Sequence, residues 1–205
     1  VLLSASVAVL AAGCGSKARQ DAHEASGKFE VEVLKASFPA HQAIAKPALF
    51  ELRVRNAGKS TVPNIAVTLN SFSYKSSYPT LAENLRPVWV VEQGPGPTAP
   101  GTPVESESVS PPGGAQTAYV STWALGSLGP ESSQTFDWRV MPVKSGKYTV
   151  HYVVAAGLAG KARAQKSSGG AVNGALTADV APAPAPRHVN PSTGKVAPGL
   201  YPATP

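Results

Sequence analysis

Phe50-Glu51-Leu52-Arg53-Val54-Arg55-Asn56-Ala57-Gly58 decides how the rest of the chain is read. Phe50, Leu52 and Val54 alternate with Glu51, Arg53 and Arg55. That period of two is the mark of a half-buried strand, in which successive side chains point to opposite faces. Asn56-Ala57-Gly58 then closes the run with residue types that turns use. Upstream, Phe29, Val31 and Val33 alternate with Glu30, Glu32 and Leu34 in the same way. Downstream, the period returns at Ile65, Val67 and Leu69, at Phe136, Trp138 and Val140, and at Tyr148, Val150, Tyr152 and Val154. Leu176, Ala178 and Val180 close the series, and Tyr119, Thr122 and Trp123 mark a further β-branched and aromatic stretch. Gly, Pro, Asn or Ser punctuates the breaks. Residues 155–164 have room for a short helix, but Gly157 and Gly160 argue against one.

Seven strands at these spacings predict an all-β chain whose body, residues 28–180, is a single immunoglobulin-like antiparallel β-sandwich. The composition agrees. The chain has 205 residues, of which 15% are charged, and its 19 Gly and 20 Pro suit punctuated loops better than a helical bundle. A single Cys excludes an internal disulfide framework and any site needing several thiolates. A single Met argues against a Met-rich copper site.

Three segments carry a resemblance. Leu52-Arg53-Val54-Arg55-Asn56-Ala57-Gly58, followed by Val62-Pro63-Asn64-Ile65-Ala66-Val67, resembles the paired strands of bacterial CARDB-type domains, the cell-adhesion-related domain found in bacteria. Leu125-Gly126-Ser127-Leu128-Gly129-Pro130-Glu131-Ser132 before Phe136-Asp137-Trp138 resembles their turn and following strand, with Gly129-Pro130 where Pro-Gly is usual. Ser145-Gly146-Lys147-Tyr148-Thr149-Val150 resembles their closing hairpin. The resemblance implies a sandwich with an accessory or adhesion-like role and no catalytic residues.

The N-terminus reads differently. Residues 1–13 are apolar and small, with no initiator Met and no basic segment, so the sequence reads as a truncated export signal. The run is shorter than the roughly 17–25 residues that cross a bilayer. Leu10-Ala11-Ala12-Gly13-Cys14 resembles a bacterial lipobox, with Ala11 at a position where Leu is commonest. That resemblance implies lipidation of Cys14 and an anchor at the outer face of the cytoplasmic membrane. Two acyl chains supply the anchoring that one chain alone does not. The Ala-, Gly- and Pro-rich composition suits a high-GC Gram-positive bacterium. Residues 14–27 are small, polar and of mixed charge, which predicts a flexible tether containing His23 and Glu24.

Two segments exceed a minimal sandwich. The insertion at about 71–118 holds Tyr78, Arg86 and Trp89 in an aromatic first part, followed by a Pro-, Gly- and Ser-rich stretch at about 94–114 that predicts a mobile loop. Trp89 is either part of an edge strand packed on the sandwich or an exposed anchor for a partner. Tyr78, Arg86 and Trp89 are therefore the candidate partner-binding residues. The tail, 181–205, opens Ala-Pro-Ala-Pro-Ala-Pro and predicts a disordered, extended arm.

Reactive constellations are missing from the sequence pattern. The four His lie at 23, 41, 151 and 188, apart from any nucleophile-elbow motif. His151 and Asp137 fall on outward strand positions. No metal-ligand or phosphate-loop spacing occurs, so neither metal nor cofactor is expected. A net charge of +6 is thinly spread, and Lys161, Arg163 and Lys166 form the densest basic run, which argues against nucleic acid. The expectation is a non-catalytic module held at the membrane through Cys14, with an envelope protein or cell-wall polymer as partner. Alternatives are a structural spacer that meets the wall through its tail, or a ligand-binding lipoprotein of a transport system. The chain is short for the two lobes of the last and lacks their βαβ alternation.

Overall fold

The computed structural model describes residues 24–73, 87–96, 117, 121–191 and 193–199. Among these the architecture is all-β, two sheets face to face. The first sheet has the order β10-β1-β3-β8-β6-β5. Its strands are β1 (Gly27–Ser37), β3 (Ala48–Asn56), β5 (Phe72–Ser73), β6 (Trp89–Gln93), β8 (Ser133–Pro142) and β10 (Ala162–Gln165). The second has the order β2-β11-β9-β4-β7. It consists of β2 (His41–Ala43), β4 (Ala66–Leu69), β7 (Thr122–Ala124), β9 (Gly146–Ala155) and β11 (Val172–Ala181). Strands β1, β3, β8 and β6 take the places of A, B, E and D in an immunoglobulin-type sandwich, and β4, β9 and β11 those of C, F and G. The fold is therefore the immunoglobulin-like sandwich expected from strand spacing, but its sheets are mixed and not wholly antiparallel, because β10, β2 and β5 each join an edge in parallel.

Alternation fixes which side of each strand is buried. In β3 the inward residues are Phe50, Leu52 and Val54, which lie opposite Trp138, Phe136 and Gln134 of β8. In β9, Val150, Tyr152 and Val154 point inward, while Thr149, His151 and Val153 are exposed. Strand β1 departs from strict alternation. A bulge between Val33 and Lys35 lets Leu34 sit out, so that Val31, Val33 and Ala36 all face the core although their spacing is uneven.

Aromatic rings fill the interior. Phe50 meets Trp138 edge-on at 5.5 Å, and Trp138 meets Trp123 edge-on at 5.4 Å. Phe38 bridges Phe50 and Trp89, each at 5.4 Å. Such edge contacts set the negative ring face against a positive edge, adding about 0.5–1.5 kcal/mol per pair beyond area burial.

The inserted segment contributes to the core. Phe72 and Val91 are buried, and Trp89 is 0% exposed. Strand β6 lies between β5 and β8, so Trp89 is on an inner strand of the sheet. The exposed-anchor reading of Trp89 is thereby corrected. The reason is periodicity: Trp89 and Val91 point inward opposite Pro142 and Val140, completing the sheet beyond β8. The rest of the expected mobile stretch beyond Gly96 lies outside the described residues, as do the predicted signal segment and most of the tether.

Two short elements complete the description. As Gly157 and Gly160 imply, residues 156–161 form no helix; they bend and lead into β10, which pairs in parallel with the start of β1. The tail expected to be an arm without order contains a hairpin, β12 (Arg187–Val189) with β13 (Val196–Pro198). Asn190 and Thr193 close its turn, where Asn190 Oδ1 accepts from the Thr193 amide.

One end of the sandwich is pinned by asparagines. Asn56 is fully buried, and its Nδ2 donates to the carbonyls of Ser60 and Leu128, both at 2.9 Å. Its Oδ1 accepts from the Gly58 amide at 3.0 Å. The turn signal read from Asn56-Ala57-Gly58 is thus also a buried clamp between two loops.

Candidate functional site

The outer face of the first sheet is laced with charge because most outward residues of β1, β3 and β8 are Glu, Lys, Arg, Asp, Ser or Thr, with Leu34 and Leu49 as exposed apolar exceptions. Lys35 pairs with Glu51 at 2.6 Å, and Arg55 reaches both Glu32 at 2.8 Å and Glu131 at 3.1 Å. Exposed pairs of this kind contribute about 0–1 kcal/mol each. They organise the surface more than they hold the fold.

At the β6 side this face deepens into a recess of about 190 Å³. Leu49, Thr135, Asp137 and Arg139 line it from β3 and β8, with Gln93 and the Gly94-Pro95-Gly96 turn closing it. Register brings these groups together. Leu49 and Gln93 both lie opposite Arg139, from either side, and Glu51 lies opposite Asp137. Leu49 is 50% exposed, an apolar side chain on a mostly polar face. Arg139 forms an ion pair beside the recess, its Nε 3.0 Å from Glu92 Oε2. A bulge between Val91 and Gln93 brings Gln93 into line with Arg139.

Asp137 is electrostatically out of balance. Burial against the wall of the recess, and then the Glu51 carboxylate across the strand pair, push its pKa above the usual carboxylate value, while Lys35 opposes them. Like charges directly opposite in a sheet are unfavourable. The recess thus sets a strained carboxylate beside a guanidinium, an amide, a hydroxyl and an apolar surface. That mixture can donate and accept hydrogen bonds at once. Among the described residues no group of His, Cys, Asp and Glu is arranged to hold a metal.

A second polar constellation lies at the end of the sandwich where β1 begins. Glu24, read from sequence as part of a tether, is half-buried. The Leu158 amide donates to both its carboxylate oxygens, at 2.9 and 2.8 Å, and the Ala159 amide to Oε2 at 3.2 Å. Asn64 Nδ2 donates to Oε1 at 3.3 Å. The ordered body therefore begins before residue 28.

Of the residues singled out from sequence, Cys14, Tyr78 and Arg86 lie outside the described residues, and Trp89 is in the core. His151 and Asp137 are exposed, as their strand positions imply. His41 falls on β2, and His188 falls on β12, where its Nδ1 lies 3.0 Å from the Gly199 carbonyl. Leu49, Gln93 and Arg139 went unnoticed because cross-strand register, which joins them, leaves no local trace. Glu24 reads from sequence only as tether because its partners are 40 to 135 residues away.

No family model and no curated protein matches the chain. Solved structures do. The CARDB domain of a Pyrococcus furiosus protein, solved in complex with di-metal ions, is 15% identical, covering 76% of this chain and 93% of that one, with a TM-score of 0.38. Native alpha-2-macroglobulin from Escherichia coli, from domain MG7 to its C-terminus, is 15% identical over 84% of this chain and 21% of that one, with a TM-score of 0.42. The alkylpurine DNA glycosylase AlkC of Pseudomonas fluorescens, bound to DNA with an abasic site analogue, is 10% identical over 75% of this chain and 31% of that one, TM-score 0.35. Likenesses of this strength leave the fold assignment resting on strand order and register.

Proposed function

We propose that the chain is an extracytoplasmic lipoprotein, anchored through Cys14 at the outer face of the cytoplasmic membrane, whose sandwich is a non-catalytic binding module of the cell envelope. The recess at Asp137 and Arg139 carries the binding part of this reading. Its mixed donors and acceptors, with Leu49 and Pro95 as apolar surface, suit a neutral, hydroxyl-bearing ligand such as one unit of a wall glycan. An ion of either sign would face a like charge there.

The course of the chain supports the anchored arrangement. Glu24 and the start of β1 sit at the end where β11 begins, because Gly27 pairs with Ala162 and Val172 with Val154. Strand β11 leaves at the other end, where Ala181 pairs with Ala43. Its ten residues span roughly 33 Å. An anchor at Cys14 would hold one end near the bilayer and send the Pro-rich tail away from it. The same polarity favours, as a second reading, a spacer that contacts the wall through residues 182–205.

Anchoring and binding are tested separately. Cells expressing wild type and Cys14→Ala from the native gene are fractionated, and the intact mass of each mature protein is taken. A membrane-bound wild type carrying a diacylglycerol mass, with a soluble mutant, supports the anchor; an unmodified Cys14 removes it. Titration of soluble wall-glycan fragments should shift the amide resonances of Thr135, Asp137 and Arg139, and Arg139→Ala should weaken binding at least about tenfold. Binding that survives this substitution unchanged would move the site elsewhere. Deleting residues 182–205 should release the protein from isolated walls only if the spacer reading holds.

A further inference from the structure

The contacts of Glu24 have the character of a ligand in a binding site. Two consecutive backbone amides, Leu158 and Ala159, converge on one carboxylate, and both of its oxygens are engaged. Successive N–H groups pointed into one concavity form an anion-binding nest. The third donor is held in place independently of Glu24. Asn64 Oδ1 accepts from the Gly126 amide at 3.2 Å, and the Asn64 amide donates to the Ala156 carbonyl at 3.1 Å. The side-chain amide is thereby fixed with Nδ2 toward the carboxylate.

Shape matches chemistry. A Cβ on Gly157 would lie 2.5 Å from Glu24 Oε2, 3.0 Å from Glu24 Cδ and 2.9 Å from the Ala162 Cβ. The carboxylate occupies the space that a side chain at 157 would fill. The walls are framed without it, since the Gly27 amide donates to the Lys161 carbonyl at 3.0 Å and β10 stays paired with β1. Residues Ser26 and Ala25, which join Glu24 to β1, are exposed and belong to no strand. Ligand and receptor are thus joined by a short connection that contributes little packing.

We propose that the 156–161 loop, with Asn64, is a carboxylate-binding site whose resident ligand is the chain's own Glu24, and that its occupancy clasps the segment leading to Cys14 onto the sandwich. The site takes a carboxylate because two amides and an amide NH₂ present donors only. Withdrawal of Glu24 leaves a framed site open to another carboxylate and lengthens the free approach to the body. The binding chemistry holds whether or not Cys14 is lipidated.

The test uses the full isotope-labelled chain, with melting temperature as a check on folding. In Glu24→Ala, hydrogen exchange at the Leu158 and Ala159 amides should speed about tenfold or more, as for the loss of a charge-assisted hydrogen bond. Sodium acetate should then return those two resonances toward their wild-type positions in a saturable way. Sodium chloride at equal ionic strength should not, and wild type should not respond to acetate. In Gly157→Ala the same amides should lose protection although Glu24 is intact. Unchanged exchange in Glu24→Ala, or equal responses to acetate and chloride, overturns the proposal. Should Glu24→Ala fail to fold, Glu24→Gln replaces it, and full protection of both amides in that variant would equally overturn a site selective for carboxylate.

Discussion

The indole N–H of Trp89 donates to Gln42 Oε1 at 2.7 Å inside the core. Trp89 is on β6 of one sheet and Gln42 on β2 of the other, so the bond ties the two layers together. Gln42 is held in turn by its Nε2, which donates to the Pro39 carbonyl at 2.9 Å. Trp138, by contrast, is buried with an Nε1 that has no hydrogen-bond partner among the described residues.

That difference separates two substitutions of equal size. Trp89→Phe leaves the Gln42 oxygen buried and unpaired, whereas Trp138→Phe removes an unpaired donor. Both lose packing, but Trp89→Phe should cost about 1–3 kcal/mol more, the usual penalty for stranding a buried polar group. Denaturant unfolding of the two variants checks this. Equal losses would mean that the interlayer bond contributes nothing net.

Gly174 and Tyr152 form a cross-strand pair in which the ring lies over the glycine. A Cβ at 174 would come within 2.5 Å of Tyr152 Cζ. Gly174→Ala should therefore destabilise by about 1–3 kcal/mol, as overpacking does, although alanine is ordinarily the better strand residue. In a Tyr152→Leu background the penalty should largely vanish. A double-mutant cycle measures the coupling, and an additive result would assign the cost to the backbone.

Asp137 predicts a pH dependence. Its folded-state pKa is raised, so the folded chain binds this proton more tightly than the unfolded chain does. Stability contributed by this group therefore declines as pH rises from the ordinary carboxylate value through the raised one, and the deficit is complete at neutral pH. Asp137→Asn should raise the melting temperature near pH 7, and the gain should shrink as pH falls through the carboxylate range. A gain that persists in acid would not come from the charge.

Longer strands were legible because their burial follows the side-chain period: Phe50, Leu52 and Val54 are all buried, as are Phe136, Trp138 and Val140. Strands β2, β5 and β10 hold 3, 2 and 4 residues, too few for a period to declare itself. Ala162 of β10 is buried only because the connection from β9 to β11 crosses to the other sheet, a tertiary fact. Trp89 illustrates the same limit from the opposite side. Its residue type advertised both a core ring and a binding anchor, and only the partners of β6 decide between them. The recess and the Glu24 nest depend on register and on distant backbone amides, which local sequence does not encode.

The parallel pairing of β2 with β11 has a mechanical meaning. Ala43 lies opposite Ala181, the chain approaching β2 through β1 from the Glu24 end and leaving β11 at the far end. Tension applied between those two exits loads β1 against β3 and β10 first, and then β2 against β11, along the length of the strands. Their hydrogen bonds lie across the direction of pull and are loaded together, in shear, where a hairpin pulled from its open end would peel one bond at a time. The sandwich is wired to bear a stretching force along its long axis.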